Sequence, residues 1–232
     1  MVFESQAELA ERPDFSLRTT VMQRIRLEIV SGKAGPGVVF SVPTLAKALG
    51  VSTTPVREAL LELVRNGLLE PMKNRGFRVL PVSADDLNHL AMVRVNLESL
   101  AVAAIPPGAM GDGSVFHGLA RDIQSAYENK DIRGYVLADR TFHLALISLA
   151  GNRYLTEMIM YLRDNMRIYG LESEEGMAQQ EKSISEHFEL VELISQGDVS
   201  GASRLISTHI LGWVPVVSKS SSIINKEKAT AD

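Results

Sequence analysis

The sequence predicts a mostly α-helical protein with an N-terminal winged helix-turn-helix and a C-terminal antiparallel bundle of about six helices. In residues 51–69 a turn is followed by apolar residues at helical spacing, and two short strand-like segments with a basic turn between them come next. From residue 83 onward, almost every segment has the pattern of an amphipathic helix with short connections. The 232 residues are enough for both domains.

Residues 51–69 (VSTTPVREALLELVRNGLL) are predicted to contain the recognition helix of the helix-turn-helix. Five apolar residues recur at helical spacing and predict one buried stripe: Val56, Ala59, Leu60, Leu63 and Val64. Ser52 stands where it can cap this helix, and Pro55 suits the first turn, where its missing N–H would have no intrahelical partner. Gly67 is expected to end the helix.

The opposite face of the recognition helix is predicted to bind DNA. Thr53 and Thr54 near its N-terminus, with Arg57 one turn later, place hydroxyls and a guanidinium where such a helix meets base edges and phosphates. On the preceding helix, predicted to begin at Pro43, Lys47 points outward.

A predicted hairpin behind the recognition helix forms a two-stranded wing from residues 68–71 and 77–80. Lys73, Asn74 and Arg75 lie at its tip and are predicted to contact the DNA backbone or the minor groove. The alternative is a solvated turn, and the neighbouring helix favours DNA.

Composition and charge agree with a DNA-binding protein. The 45% hydrophobic and 22% charged residues are typical of a globular soluble chain, and no apolar run approaches the roughly 18 residues of a membrane helix. The N-terminus lacks the pattern of a secretory leader and cysteine is absent, so a cytoplasmic location is expected. Residues 17–82 carry a net charge of +6, against −3 for residues 1–16 and −7 for residues 83–232.

The helical region begins at Ser83, with Asp86 at the capping-box position. Six helices are predicted, over residues 83–105, 114–129, 132–150, 153–169, 177–196 and 199–214. The predicted domains are a flexible arm (1–16), the winged helix-turn-helix (17–80), a linker (81–82), the helical domain (83–217) and a polar tail (218–232).

Three histidines lie on predicted helix faces beside apolar core positions. Asp139 and His143 are four residues apart, so they project from one face of a helix about one turn from each other. With His187 and His209 they form a set of one carboxylate and three imidazoles, which suits zinc or nickel. Taken singly, each histidine is more often an ordinary partly buried side chain, and that alternative stays open on the residues alone.

With the words PVREAL and NGLLE, residues 17–80 resemble the winged helix-turn-helix of the GntR family of bacterial transcription regulators. Two positions depart from the family: Thr53 stands where many relatives have arginine, and Leu61 where many have a basic or polar residue. The operator sequence therefore does not carry over from any relative.

The helical half resembles the effector domain of the FCD branch of this family, through Arg94 with Glu98 and through the Asp139, His143, His187 and His209 set. The resemblance implies a divalent metal, zinc first with nickel or manganese as alternatives, bound by those four residues.

The resemblance also implies that a small organic acid fills open positions on the metal. Arg94 is its expected carboxylate partner, and Arg163 is a second candidate. The alternative is a surface pair between Arg94 and Glu98, worth only a few tenths of a kcal/mol.

The expected function is a metabolite-responsive transcription factor, expected to be a repressor, that binds a palindromic operator in double-stranded DNA as a homodimer. A metal-dependent enzyme using the same four ligands is the main rival, since open coordination also describes catalytic sites. No general base is evident beside the ligands, and a winged helix is hard to explain on a metabolic enzyme. A third possibility is an interaction module whose histidines are only core residues.

His89 and His117 are expected to be surface or packing residues.

Overall fold

The computed structural model describes residues 17–166 and 171–229, with side chains up to Val216. The chain divides into two compact units, with Val82 at the end of the first stretch and Ser83 at the start of the second. The predicted arm, residues 1–16, lies outside the described residues.

The helices of the first unit are α1 (Leu17–Val30), α2 (Val42–Leu49) and α3 (Thr53–Arg65). Gly50 follows α2 in the left-handed region (φ +66°) and allows the tight turn into α3. Four of the five predicted stripe residues of α3 are fully buried, and Val64 packs partly buried against the same core. Gly67, with a φ of +70°, follows the end of α3 as predicted.

The wing belongs to a three-stranded antiparallel sheet of β1 (Val39–Phe40), β2 (Leu69–Met72) and β3 (Gly76–Val79), in the order β1-β3-β2. β1 was not part of the predicted two-stranded wing, because a strand of two residues is too short to show an alternation of apolar and polar side chains. Val39 lies opposite Arg78, and Phe40 lies opposite Phe77. The wing is therefore tied to the segment that leads into α2.

The second unit contains the predicted helical bundle. Its helices are α4 (Ala84–Ala103), α5 (Ser114–Glu128), α6 (Ile132–Ser148), α7 (Arg153–Asn165), α8 (Glu174–Ser195) and α9 (Val199–Ala229), of which the second unit includes the residues up to Ile223. α5 packs against α6 and α8, and α4 packs against α6 and α7. The capping box at the start of α4 is present: the Ser83 hydroxyl accepts from the Asp86 N–H, and the Asp86 carboxylate accepts from the Ser83 N–H.

The predicted start of α8 and the predicted end of α7 differ from the structure. α8 begins at Glu174 rather than at residue 177, because the Ser173 hydroxyl accepts from the Gly176 N–H and caps the helix three residues earlier. α7 ends at Asn165 rather than at residue 169, since Met166 already has extended backbone.

α9 continues past the predicted end at Val214, through Pro215, to Ala229. The tail predicted from residue 218 is therefore helical as far as the structure describes it. Pro215 removes one backbone hydrogen bond, but residues 216–229 contain no further proline or glycine that would stop the helix. Among the described helices, none is both long enough and apolar enough to cross a membrane.

Gly76 begins β3 with a φ of +120°, and a Cβ at this position would clash with the backbone carbonyl of Phe40 in β1. We expect Gly76→Ala to lower the free energy of unfolding by about 1 to 3 kcal/mol, because alanine is strained at this φ and β1 must move. Urea unfolding followed by circular dichroism measures the change. Gly35→Ala, at a glycine with open space around it, is the control and should cost less than about 0.5 kcal/mol. Equal losses in the two variants would contradict the role assigned to Gly76.

Candidate functional site

The N-terminal half of α3 presents polar side chains on the surface of the first unit. Thr53, Thr54 and Arg57 are exposed, as is Lys47 on α2. The apolar stripe of α3 is buried on the other side of the helix. The hydroxyls and the guanidinium on the exposed face of α3 can donate hydrogen bonds to base edges and phosphates.

Ser52 occupies the N-cap position of α3 with extended backbone, as predicted, but its side chain makes no capping hydrogen bond. Ser41 at the start of α2 shows the same arrangement. The N-termini of both helices therefore leave backbone N–H groups without a side-chain cap, and such groups are suited to phosphate oxygens.

The wing turn carries the other three predicted DNA-binding residues, and Lys73, Asn74 and Arg75 are all exposed. Asn74 has a φ of +60°, a conformation that asparagine tolerates better than most residues. Arg78 differs from the tip residues, because its Nε donates to Glu70 Oε1 at 2.6 Å across the strand pair. The contacts of the tip with DNA stay a prediction.

In the second unit, four side chains from three helices come together: Asp139 and His143 of α6, His187 of α8 and His209 of α9. One possible ligand atom from each lies within 4.8 Å of the other three. His143 Nε2 is 3.1 Å from His187 Nε2, and Asp139 Oδ1 is 3.3 Å from His187 Nε2. Ligand atoms around one ion with bonds of about 2.1 Å lie roughly 3 to 4 Å apart. The 3.1 Å and 3.3 Å distances fall in this range, so these four residues, called the Asp/His cluster below, come close to the spacing of a mononuclear site.

Two imidazoles of the Asp/His cluster are oriented by oxygen atoms behind them. His187 Nδ1 is 2.6 Å from the Ser183 carbonyl oxygen, and His209 Nδ1 is 2.9 Å from Glu186 Oε2. A carbonyl oxygen can only accept, so His187 holds a proton on Nδ1, and in the neutral ring the lone pair is on Nε2. The Glu186 carboxylate likewise accepts from His209 Nδ1, so the lone pair of neutral His209 is on Nε2. Both rings thus turn a lone pair toward the Asp/His cluster.

His143 has no tautomer that suits both of its neighbours. Its Nδ1 is buried without a hydrogen bond to any described residue and lies 3.9 Å from Glu98 Oε2. A proton on Nδ1 leaves the Nε2 lone pair facing that of His187, whereas a proton on Nε2 leaves an unprotonated Nδ1 facing the carboxylate. A cation between the Nε2 atoms removes this conflict. The residues present therefore fit a divalent metal.

The two carboxylate oxygens of Asp139 have different partners. Oδ1 faces His143 and His187, whereas Oδ2 accepts from Arg163 Nη2 at 2.7 Å. Burial raises the pKa of Asp139, but Arg163 and the two histidines outweigh burial and hold the pKa well below its usual range. Asp139 is therefore ionised, with one oxygen directed at the histidines.

Glu98 on α4 connects the two arginines that were predicted to bind an effector. It accepts from Arg94 Nε at 2.8 Å and from Arg163 Nη1 at 3.0 Å. The Arg94 and Glu98 side chains are only 6% and 0% exposed, so the surface-pair alternative is wrong. Burial raises the pKa of Glu98, but the two arginines outweigh burial and lower the pKa. Arg94, Glu98, Arg163 and Asp139 form a buried chain of alternating charge, called the ion chain below.

Burial lowers the pKa of His143 well below its ordinary value and also lowers the pKa of His209. Both rings are therefore neutral near neutral pH, which is the state a metal ligand requires. The other two histidines lie elsewhere: His89 is exposed, and His117 Nε2 is 3.1 Å from Glu192.

Three polar residues beside the Asp/His cluster were not predicted from the sequence: Tyr135, Ser183 and Glu186. Tyr135 and Ser183 are buried, and their hydroxyls lie close together, since a hydrogen bond with Ser183 partly offsets the rise that burial causes in the pKa of Tyr135. Tyr135 lies one turn before Asp139, and Ser183 lies one turn before His187. That i−4 spacing from predicted ligands was the signal that could have found them.

Comparison with known proteins gives consistent matches in both units. Residues 17–79 match the family model described as "Bacterial regulatory proteins, gntR family", and residues 89–212 match "FCD domain". The chain is 32% identical to the HTH-type transcriptional regulator McbR of Escherichia coli, over 63% of this chain and 67% of that protein. It is 27% identical to the probable D-xylose utilization operon transcriptional repressor of Paenarthrobacter nicotinovorans, over 88% of this chain and 91% of that protein. The solved structure of E. coli McbR/YncC is similar, with a TM-score of 0.78 and 26% identity over 88% of this chain and 98% of that chain.

Glu98→Gln should destabilise the second unit strongly, because it leaves two buried guanidinium groups with less compensating charge. We expect a loss of about 3 to 5 kcal/mol in the free energy of unfolding, measured by urea denaturation. Glu157→Gln is the matched control, because Glu157 pairs with Arg153 on the exposed side of α7, and its loss should stay below about 1 kcal/mol. A Glu98→Gln protein as stable as the control variant would show that the ion chain contributes little.

Proposed function

Since this chain belongs to the gntR family of bacterial regulatory proteins and carries an FCD domain, we propose that a small organic acid, held at a divalent metal in the Asp/His cluster, controls its binding to DNA. The family is one of transcriptional regulators, so the chain is a DNA-binding regulator and the enzyme alternative is set aside. The single observation that carries the metal proposal is the convergence of three imidazoles and one carboxylate oxygen, with His143 lacking a satisfactory tautomer.

The donor set favours zinc, with nickel or manganese as alternatives. Three neutral nitrogens and one carboxylate oxygen suit the borderline ions that imidazole prefers. Four protein ligands leave room for further ligands on an ion that takes five or six. The chain's own part is to hold the ligands in place: Glu186 and the Ser183 carbonyl orient two rings, and Arg163 fixes the free oxygen of Asp139.

A carboxylate is the effector group that such a metal would bind, and Arg94 and Arg163 are the proposed contacts for it. Both guanidinium groups already pair with Glu98, and Arg163 also pairs with Asp139. An incoming carboxylate must therefore compete with these partners. This competition gives the effector a direct way to rearrange the ion chain.

We infer a homodimer that places two α3 helices on a palindromic operator. Exposed apolar side chains support a surface for self-association. On α4, Met92, Val93 and Leu100 are exposed, and on α7, which packs against α4, Met158 and Tyr161 are exposed. The P. nicotinovorans relative is described as a probable repressor, and we propose that this chain also represses transcription.

Arg57→Ala should weaken binding to an operator by about 1 to 3 kcal/mol, because it removes the guanidinium that faces the bases and phosphates from α3. An operator selected from random duplexes by the wild-type protein and titrated at one fixed salt concentration provides the measurement. Arg65→Ala is the control, since Arg65 lies in the last turn of α3 and pairs with Glu62 at 2.9 Å. Identical titrations for wild type and Arg57→Ala would show that Arg57 does not contribute to operator binding.

The double variant His143→Ala with His187→Ala should bind no divalent metal, because it removes two of the four ligands. Elemental analysis of protein equilibrated with zinc and then desalted measures the metal content. His117→Ala, which changes a histidine outside the Asp/His cluster, should retain the wild-type content. Organic acids should raise the melting temperature of the zinc-loaded wild type but not that of the double variant. Unchanged zinc in the double variant would place the metal elsewhere or rule it out.

A further inference from the structure

Leu61 is an exposed leucine in the middle of α3. The residue is 43% exposed and does not belong to the core of the first unit, whereas its neighbour Leu60 is fully buried. Among the described residues of α2 and α3, Leu61 is the only large hydrophobic residue that is exposed. The packing of the first unit therefore does not account for a leucine at this position.

Helix geometry places Leu61 on the same face of α3 as Thr54. An α-helix turns by about 100° per residue and rises by about 1.5 Å, so seven residues bring the side chain back to within roughly 20° of the same direction, about 10 Å further along the axis. The major groove of DNA is about 12 Å wide. If Thr54 meets base edges in that groove, Leu61 lies over the bases as well.

The side chains around Leu61 suit base edges better than phosphates. Glu58, three residues earlier, is exposed, and its carboxylate would be repelled by the phosphate backbone. Leu61 itself has no hydrogen-bond donor for a phosphate oxygen. In the major groove, the apolar group that a base presents is the C5-methyl of thymine. An exposed leucine on this face therefore matches thymine.

The surroundings of Leu61 favour DNA over a protein partner. Residues 17–82 carry a net charge of +6, and Lys47 and Arg57 are exposed on the two helices of the helix-turn-helix. A docking surface for a protein needs several adjacent apolar side chains. Leu61 has no exposed large apolar neighbour on the described residues of α2 and α3, so it suits a single methyl group.

We propose that Leu61 contacts the C5-methyl of one thymine in each operator half-site and thereby selects thymine at that position. The inference rests on the proposed function, because it needs α3 in the major groove of a palindromic operator. It adds an apolar base contact to the hydrogen bonds expected from Thr53, Thr54 and Arg57.

Replacement of thymine by uracil tests the proposal, because it removes the methyl group and leaves the base pair intact. An operator selected from random duplexes by the wild-type protein is resynthesised with uracil at each thymine in turn, and each duplex is titrated at one fixed salt concentration. We expect one uracil position in each half-site to weaken wild-type binding about fourfold, the effect of leaving one methyl group unburied.

Leu61→Ala should weaken binding to the thymine operator by a similar factor and should be insensitive to uracil at that position only. Its unfolding midpoint should match that of wild type, because the side chain is exposed. Leu17→Ala is the matched control, since Leu17 is a leucine of the same unit with 45% exposure, on α1. The control should keep both the affinity and the uracil effect of the wild type.

The outcomes separate this inference from the proposal on which it rests. If Leu61→Ala binds like wild type, or loses the same affinity for thymine and uracil duplexes at every position, the thymine contact is wrong, while a weakened Arg57→Ala still supports α3 as the DNA-binding helix. If neither Arg57→Ala nor Leu61→Ala changes binding, the DNA contact of α3 fails and this inference fails with it.

Discussion

The orientation of three imidazole rings is the constraint on which the second unit depends. Apolar packing is not directional and would allow small shifts of one helix along another. Two contacts behind the rings are directional: the Ser183 carbonyl orients His187 within α8, and Glu186 links α8 to α9 through His209. Glu98 of α4 lies 3.9 Å from His143 of α6 without a hydrogen bond.

The ion chain places charged groups in a core where apolar residues would serve stability equally well. Burying charged groups is costly, and an apolar core of the same volume is often at least as stable. The alternation of Arg94, Glu98, Arg163 and Asp139 offsets this cost, because each carboxylate lies between positive neighbours or beside one. Its end at Asp139 leaves one oxygen directed at the histidines. Asp139 is thereby connected to α4 and α7 through hydrogen bonds only 2.7 to 3.0 Å long.

Local patterns predicted much of the fold, because helices and their caps are encoded over a few residues. The α3 stripe, the Ser83 capping box and six bundle helices all follow from spacing and capping. β1 did not, since its pairing with β3 is a tertiary contact, and the extension of α9 beyond Pro215 was missed because residues 218–232 were expected to be a polar tail. At the site, spacing places only Asp139 beside His143. The approach of His187 and His209 depends on how three helices pack, and a family resemblance, not a pattern, predicted it.

The pairing of β1 with β3 also limits how a signal can alter DNA recognition. Because β1 leads directly into α2 and its partner strand carries the wing, a backbone ladder joins the hairpin to the helix-turn-helix. Tilting the hairpin alone would break the backbone hydrogen bonds between β1 and β3, so the first unit should move as one rigid body. In the proposed dimer, an effector would therefore change the separation or angle of two such bodies along the duplex, but not the bases that each one prefers.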